Sequence, residues 1–256
     1  MFNYIRSEWY LIRHNRSFLV SVGCMAGLML LFILLAYYSF VTFEKNGSES
    51  FYLSLLYTTG TSFFAPVTLI ISGSLENDEF KKHHTLKSSV SFGFSREELY
   101  LGKLFAQLSA CTLAYVSLAL FYFVTGLLFL GVPDSDSVIY YIRALLGIYP
   151  LCLGFYAMAF CFLLNLGGGW GGVLAALGAT YGLPYLFLFL GQKVPLLQIP
   201  AYYNPVNMMK TQWTDHSAFF YWDTPSGMGL CYLTAAVYFI LFTAIGLYWF
   251  KKREIR

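Results

Sequence analysis

Charged residues are scarce in this chain. Asp, Glu, Lys and Arg make up 11% of its 256 residues, whereas a soluble domain averages about 25%. Hydrophobic residues reach 58%, against roughly 45–50% in soluble domains. Because so little polar surface could not cover a water-soluble globule, the composition indicates a membrane-embedded protein.

Asp, Glu, Lys, Arg and His are absent from the middle of every long apolar run. Proton-coupled carriers and intramembrane hydrolases need such groups at membrane depth, although burying one costs at least about 2.5–3.5 kcal/mol. A Walker A loop is also missing, because Leu104 follows Gly102 and Lys103 where Ser or Thr is required. The five cysteines form no CxxC pair, which argues against a disulfide framework or a metal site. The chain is therefore expected to be no enzyme and to bind no ATP or metal itself.

Long apolar runs dominate what is present. A membrane-spanning helix needs roughly 20 apolar residues, and these runs show no alternation typical of a β-barrel. Since backbone groups in lipid must bond to one another, the sequence predicts an all-α membrane protein with six spans. The predicted spans are about 18–43, 51–73, 100–130, 139–165, 170–190 and 227–250. The first is longer than the core of about 7–15 residues in a cleavable signal peptide.

Lys and Arg, counted loop by loop, predict the orientation. The N-terminus, second loop, fourth loop and C-terminal tail carry 12 of these residues, and the other loops carry four. By the positive-inside rule, both termini and the second loop face the cytoplasm of a plasma-membrane protein. The net charge of +3 is then a topology signal, with no nucleic-acid partner implied.

Residues 1–17 are too few to span a bilayer. Phe2, Ile5, Trp9 and Ile12 recur at helical spacing, with arginines beside the stripe. This pattern predicts an amphipathic helix lying in the inner membrane interface; a short, partly ordered tail is the alternative.

The second loop concentrates charge. Residues 76–103 hold ten of the 29 charged residues. Acids precede bases in this segment, which suits a helix dipole and predicts a short cytoplasmic helix over about 75–88. Such a helix held at the membrane would suit a docking surface. A solvated, topology-setting charge cluster is the alternative reading.

A new helix is predicted to start after Gly93. Ser95 and Glu98 form the Ser-x-x-Glu pattern of a capping box. Phe94 and Leu99 occupy the two positions of a hydrophobic staple, so the third span should begin at Ser95.

Two further segments are unusual in composition. Residues 191–226 are too apolar for a disordered loop and too proline-rich for a straight span. This composition predicts short interfacial or re-entrant helices. The aromatic residues expected at headgroup level are Trp213, Phe219, Phe220, Tyr221 and Trp222. Small, hydroxyl and aromatic residues cluster in 57–64 and 165–172. They predict either close helix packing or a pathway for an amphipathic or hydrophobic passenger.

The second loop resembles that of a known family. The loop is similar to the first cytoplasmic loop of type 2 ATP-binding-cassette exporter permeases. The likeness rests on its acidic start, Phe80-Lys81, Thr85-Leu86-Lys87, the stretch Gly93–Arg96 and Gly102-Lys103. The likeness is closest to small bacterial permeases for export of, or immunity to, lantibiotics, bacitracin and other antimicrobial peptides. The six-span layout and Asn204-Pro205 in the outer segment extend it over the chain.

This resemblance implies an architecture. It comprises an interfacial helix at 1–17, a six-span permease domain over 18–256, a cytoplasmic coupling element at 75–96 and an extracellular re-entrant segment at 191–226. Two ATPase subunits would bind ATP and Mg²⁺ and drive this permease together with a second one, identical or homologous, among membrane lipids. The exported substrate would be an amphipathic peptide. Lipids, glycolipids or drugs are alternatives, as is a non-transporting scaffold or sensor role.

The resemblance also implies site residues. The residues implied to contact the ATPase are Glu76, Asp78, Glu79, Phe80, Lys81, Thr85, Lys87, Gly93, Phe94, Ser95 and Arg96. The residues implied to line the pathway are Tyr57, Thr58, Thr59, Thr61, Ser62, Phe63, Phe64 and Trp170.

Overall fold

Long apolar helices form most of the structure. The computed structural model describes residues 2–43, 93–130, 135–166, 170–209, 212–214 and 217–252. Five helical segments within these ranges are long and apolar enough to cross a membrane, which is compatible with a multi-pass membrane protein. They are Arg16–Leu35, Arg96–Phe129, Val138–Asn165, Gly171–Gly191 and Pro225–Lys252. The second predicted span, 51–73, lies outside the described residues.

The chain begins with two helices that meet at Asn15. Helix α1 covers Phe2–His14 and α2 covers Arg16–Phe43. The Asn15 Oδ1 atom accepts a hydrogen bond from the Phe18 amide at 3.2 Å, so this side chain caps the start of α2. Met25, Met29 and Ile33 form a buried stripe on α2.

Two long helices follow, α3 at Arg96–Leu130 and α4 at Ser135–Asn165, with Pro150 inside α4. Tyrosine hydroxyls join them: Tyr156 donates to Gln107 Oε1 at 2.5 Å, and Tyr141 donates to the Ala119 carbonyl at 2.7 Å. In an apolar surrounding such bonds hold neighbouring helices in register.

Helix α4 packs most closely on the last long helix, α9, which covers Pro225–Lys252. At Gly154 the backbones approach so closely that a Cβ atom would lie 2.9 Å from the Ala235 carbonyl oxygen. At the C-terminal end of α4, the Asn165 Nδ2 atom donates a hydrogen bond to the Cys161 carbonyl at 2.9 Å. It donates a second one across the interface to the Gly246 carbonyl at 3.2 Å. Small residues and an amide therefore hold this pair together.

The helical segment after α4 consists of three pieces. Helix α5 covers Trp170–Leu177, a π-helical turn covers Gly178–Gly182, and α6 covers Leu183–Gly191. The bulge falls where two glycines and Pro184 interrupt the apolar run, and such bulges are frequent at functional sites.

Short elements make up the described parts of the segment between α6 and α9. They are a 3₁₀ turn at Pro195–Leu197, α7 at Gln198–Tyr202, α8 at Pro205–Met209, an antiparallel hairpin of β1 (Gln212–Thr214) and β2 (Ser217–Phe219), and a 3₁₀ turn at Tyr221–Asp223. The hairpin was not predicted from the sequence.

Two aromatic residues of this segment are buried within the protein. Phe220 and Trp222 are 2% and 1% exposed, and their position at headgroup level stays a prediction. Their rings stack with centroids 4.5 Å apart, and Trp222 packs on the bare backbone of Gly147 in α4. Burial also raises the pKa of the neighbouring Tyr221 above its ordinary value.

Candidate functional site

The start of α3 is fixed by a capping box. Gly93 has a φ of 86°, a left-handed conformation that glycine adopts without strain. The Ser95 Oγ atom accepts a hydrogen bond from the Glu98 amide at 3.2 Å, and Glu98 Oε2 accepts one from the Ser95 amide at 3.2 Å. The predicted box and helix start are therefore present.

Helix α1 packs against this helix start. The Tyr4 ring lies 5.7 Å from the Phe94 ring, centroid to centroid, and covers Gly102, where a Cβ atom would come within 2.6 Å of Tyr4 Cδ1. Phe94 and Leu99, the expected staple, belong to the same apolar cluster as Tyr4.

The inward face of α1 includes three residues of the predicted stripe: Ile12 is buried, and Ile5 and Trp9 are partly buried against the core. Tyr4 and Glu8 are also buried on this helix. The Phe2 side chain lies outside the described part of the chain. Lys103, which we counted among the loop cations, is 1% exposed inside α3. The burial of Glu8 and Lys103 depends on how the helices pack, which hydrophobic periodicity does not show.

The C-terminal end of α9 is tied to the same place. Arg96 Nη1 donates to the Lys251 carbonyl oxygen at 2.6 Å, and the Lys251 ammonium forms an ion pair with Glu97. Arg96 is a cation at the last carbonyl groups of α9, and Glu97 is an acid in the first turn of α3. Both positions complement the dipoles of these helices. We call this group, Gly93–Glu98 with Lys251, the tied junction.

Most of the site residues implied by the resemblance lie outside the described part of the chain. Gly93, Phe94, Ser95 and Arg96 lie together in the tied junction, and Trp170 is the first residue of α5. The coupling residues outside the described part of the chain are Glu76, Asp78, Glu79, Phe80, Lys81, Thr85 and Lys87. The pathway residues outside it are Tyr57, Thr58, Thr59, Thr61, Ser62, Phe63 and Phe64.

A second feature, absent from the sequence analysis, is an apolar cavity of about 330 Å³. It lies between α4, the π-turn with α6, α9, and the segment from α7 to the start of α8. Its lining comprises Met158, Cys161, Phe162, Ala179, Leu183, Pro184, Phe187, Pro200, Asn204, Tyr238, Phe242, Ile245 and Trp249. The glycines and proline around residues 178–184 are the sequence signal that could have indicated it.

The π-turn shapes one wall of this cavity. The Leu183 amide donates to the Gly178 carbonyl, five residues back. The next amide in this pattern would belong to Pro184. Because proline has no N–H, it donates no hydrogen bond to the Ala179 carbonyl. Thr180 is buried and its hydroxyl donates to the Ala176 carbonyl at 2.5 Å, which stabilises the turn from inside.

Asn204 contributes an amide side chain to the lining of the cavity. It is 3% exposed, and its Oδ1 atom accepts a hydrogen bond from the Val206 amide at 2.9 Å, so it caps α8 ahead of Pro205. The Asn204-Pro205 pair therefore serves as a helix start beside the cavity.

Comparison with known proteins adds no assignment. Within the described ranges, no three His, Cys, Asp or Glu side chains are grouped so as to hold a metal ion. No protein-family model matches the chain, and no curated protein matches its sequence. Function must therefore be inferred from the residues and their geometry.

Proposed function

We propose that this chain is the transmembrane permease subunit of an ATP-driven exporter in a bacterial cell membrane. Two ATPase subunits would bind ATP and Mg²⁺ on the cytoplasmic side, where both termini lie, and a second permease would complete the assembly. The expected substrates are amphipathic or hydrophobic molecules, with antimicrobial peptides first.

The observation that carries this proposal is the tied junction. A charge-rich segment of the sequence ends at a point fixed by a capping box, by α1 and by the end of α9. A flexible tether would absorb a push from a bound partner, whereas a junction braced in this way transmits it to three helices. A docking loop that drives the spans needs such a connection.

The apolar helices support the same conclusion. No ionisable residue lies near the middle of the long apolar runs, so the chain lacks the groups by which many transporters couple flux to protons or ions. Energy for transport would have to come from a separate subunit, and the charged loop is where it could enter.

The test is purification of the full chain from its own membrane, followed by reconstitution. We expect an ATPase subunit to copurify, and the complex to take up a fluorescent amphipathic peptide into inside-out vesicles only with ATP. Gly93→Val should uncouple hydrolysis from uptake, because a β-branched residue tolerates positive φ poorly. Gly93→Asn is the matched control and should retain coupling, since asparagine adopts this conformation more readily.

Two outcomes would overturn the proposal. One is peptide flux in vesicles that contain this chain and no nucleotide-hydrolysing subunit. The other is unchanged physiological activity after Thr59→Trp, a bulky change in the predicted pathway, because a scaffold or sensor tolerates a blocked pathway and an exporter does not.

A further inference from the structure

The cavity beside the π-turn runs along one face of α9. Tyr238, Phe242, Ile245 and Trp249 line it from α9 at spacings of four, three and four residues, which places them on one helix face. The 11-residue separation from Tyr238 to Trp249 corresponds to about 16 Å at 1.5 Å rise per residue. We call the cavity beside this stripe the α9 slot.

The slot has the width of one hydrocarbon chain. A volume of about 330 Å³ spread over that length leaves a mean cross-section of roughly 20 Å². Carbon atoms in contact lie about 4 Å apart, so one extended chain occupies roughly 15–20 Å². The volume of the slot therefore corresponds to about one extended hydrocarbon chain.

The chemistry of the lining selects an uncharged occupant. Met158 and Phe162 of α4 and Leu183 and Phe187 of α6 line the slot with α9, and no lining residue carries a formal charge at neutral pH. Because an unpaired charge in such surroundings is strongly disfavoured, ionic headgroups and charged side chains are excluded from the slot. Asn204, whose Oδ1 already bonds to Val206, places an amide at the wall contributed by α8.

The slot reaches the outer surface of the helices. Leu183 is 48% exposed and Trp249 is 43% exposed, although both also line the slot. The exposed surface beside them on α6 is apolar, with Leu186 at 51% and Phe189 at 72% exposure. In a bilayer this surface would face acyl chains, so the nearest supply of hydrocarbon is the surrounding lipid.

We propose that the α9 slot binds one acyl chain of a membrane phospholipid, inserted sideways from the bilayer. The chain lies along Tyr238–Trp249 against the π-turn, and its headgroup stays outside. This proposal concerns a lipid bound by the helices and does not rest on the export function. It explains why an apolar cavity can persist among long helices that otherwise pack closely, since the acyl chain supplies the missing contacts.

Photolabelling tests the proposal directly. The full chain is reconstituted in phosphatidylcholine vesicles doped with a phosphatidylcholine whose acyl chain carries a diazirine, irradiated, digested and mapped by mass spectrometry. We expect adducts to concentrate on Phe162 and Phe242, inside the slot. A parallel sample with a diazirine fatty acid identifies the source, because labelling by the free acid alone would overturn the phospholipid assignment.

Two variants narrow the slot from opposite walls. Ala179→Leu extends the π-turn side chain and Ile245→Phe enlarges one on α9, so both place extra carbon atoms where the acyl chain should lie. Labelling of Phe242 should fall about tenfold, which corresponds to the exclusion of roughly two methylene groups. Ala244→Leu adds the same side chain as Ala179→Leu on the exposed face of α9 and should leave labelling unchanged.

Stability gives an independent readout if a variant folds poorly. Phosphatidylcholine added to the delipidated protein should raise the unfolding temperature of the wild type and of Ala244→Leu, because a ligand of the folded state stabilises it. This increase should be lost in Ile245→Phe. Equal increases in all three proteins, or adducts spread evenly over exposed residues such as Leu120 and Ile240, would mean general solvation by lipid and would overturn the proposal. Neither result would affect the ATP-dependence test of export.

Discussion

Gly154 is the most sensitive point of the α4–α9 pair, and replacing it with alanine tests the close packing directly. The added Cβ atom would lie 2.9 Å from the Ala235 carbonyl oxygen and 3.2 Å from the Ala235 Cα atom. Both are backbone atoms of α9, so no side-chain rotation can relieve the clash. The helices must separate by several tenths of an ångström along a buried interface.

The magnitude follows from two opposing effects. Alanine is favoured over glycine in a helix interior by roughly 0.5–1 kcal/mol. Overpacking a close contact costs typically about 1–3 kcal/mol. The expected net loss for Gly154→Ala is therefore about 0–2.5 kcal/mol. Gly229→Ala is the matched control in α9, because a Cβ atom there meets nothing within 4 Å and only the favourable effect remains.

Thermal unfolding of both variants in the same detergent measures the difference. For a protein of this size, 1 kcal/mol corresponds to about 2–4 °C in the midpoint. We expect Gly154→Ala to unfold several degrees below the wild type and Gly229→Ala to unfold at or slightly above it. If the two variants have the same midpoint, the α4 and α9 backbones are not in contact at Gly154 and the packing described here is wrong.

Three further substitutions have defined outcomes. Ser95→Ala should cost about 1 kcal/mol and speed amide hydrogen exchange in the first turn of α3, whereas Ser95→Asp should not, because aspartate also caps helices. Tyr156→Phe removes the buried hydrogen bond to Gln107 and should lower the free energy of unfolding by about 1–2 kcal/mol in denaturant titrations; no change would contradict the bond. Arg96→Gln should lower the thermal midpoint more than Glu97→Gln, because Arg96 binds a backbone carbonyl while the exposed ion pair of Glu97 is worth about 0–1 kcal/mol.

Local sequence signals predicted much of the helical structure. The predicted run 227–250 lies within α9 at Pro225–Lys252, and the run 100–130 lies within α3, because length and hydropathy suffice to identify such helices. The capping box at Ser95 was also readable, since a cap depends on residues three positions apart. These features are set by neighbours in the chain.

Features set by distant contacts were not predictable in the same way. Trp222 resembles an interfacial aromatic residue in the sequence, and it is buried because Gly147, some 75 residues earlier, leaves space for its side chain. Lys103 resembles a loop cation in the sequence, and it is buried on the same side of α3 as Tyr100 and Gln107, which contact α4 and α9. The α9 slot depends on four segments meeting, and only the glycines and proline of the π-turn were visible beforehand.

Helix α9 connects the two features that carry the proposals, and this connection has a testable consequence. Trp249 lines the slot and stands two residues before Lys251, whose carbonyl oxygen is held by Arg96. An α-helix transmits a displacement along its axis with little loss over half a turn, so a movement of the charged loop should reach the slot wall. Releasing the tie with Arg96→Gln should therefore change acyl-chain labelling of Phe242, while Glu97→Gln, which leaves the carbonyl bond in place, should change it less. Equal labelling in both variants and the wild type would mean that the slot does not sense the tied junction.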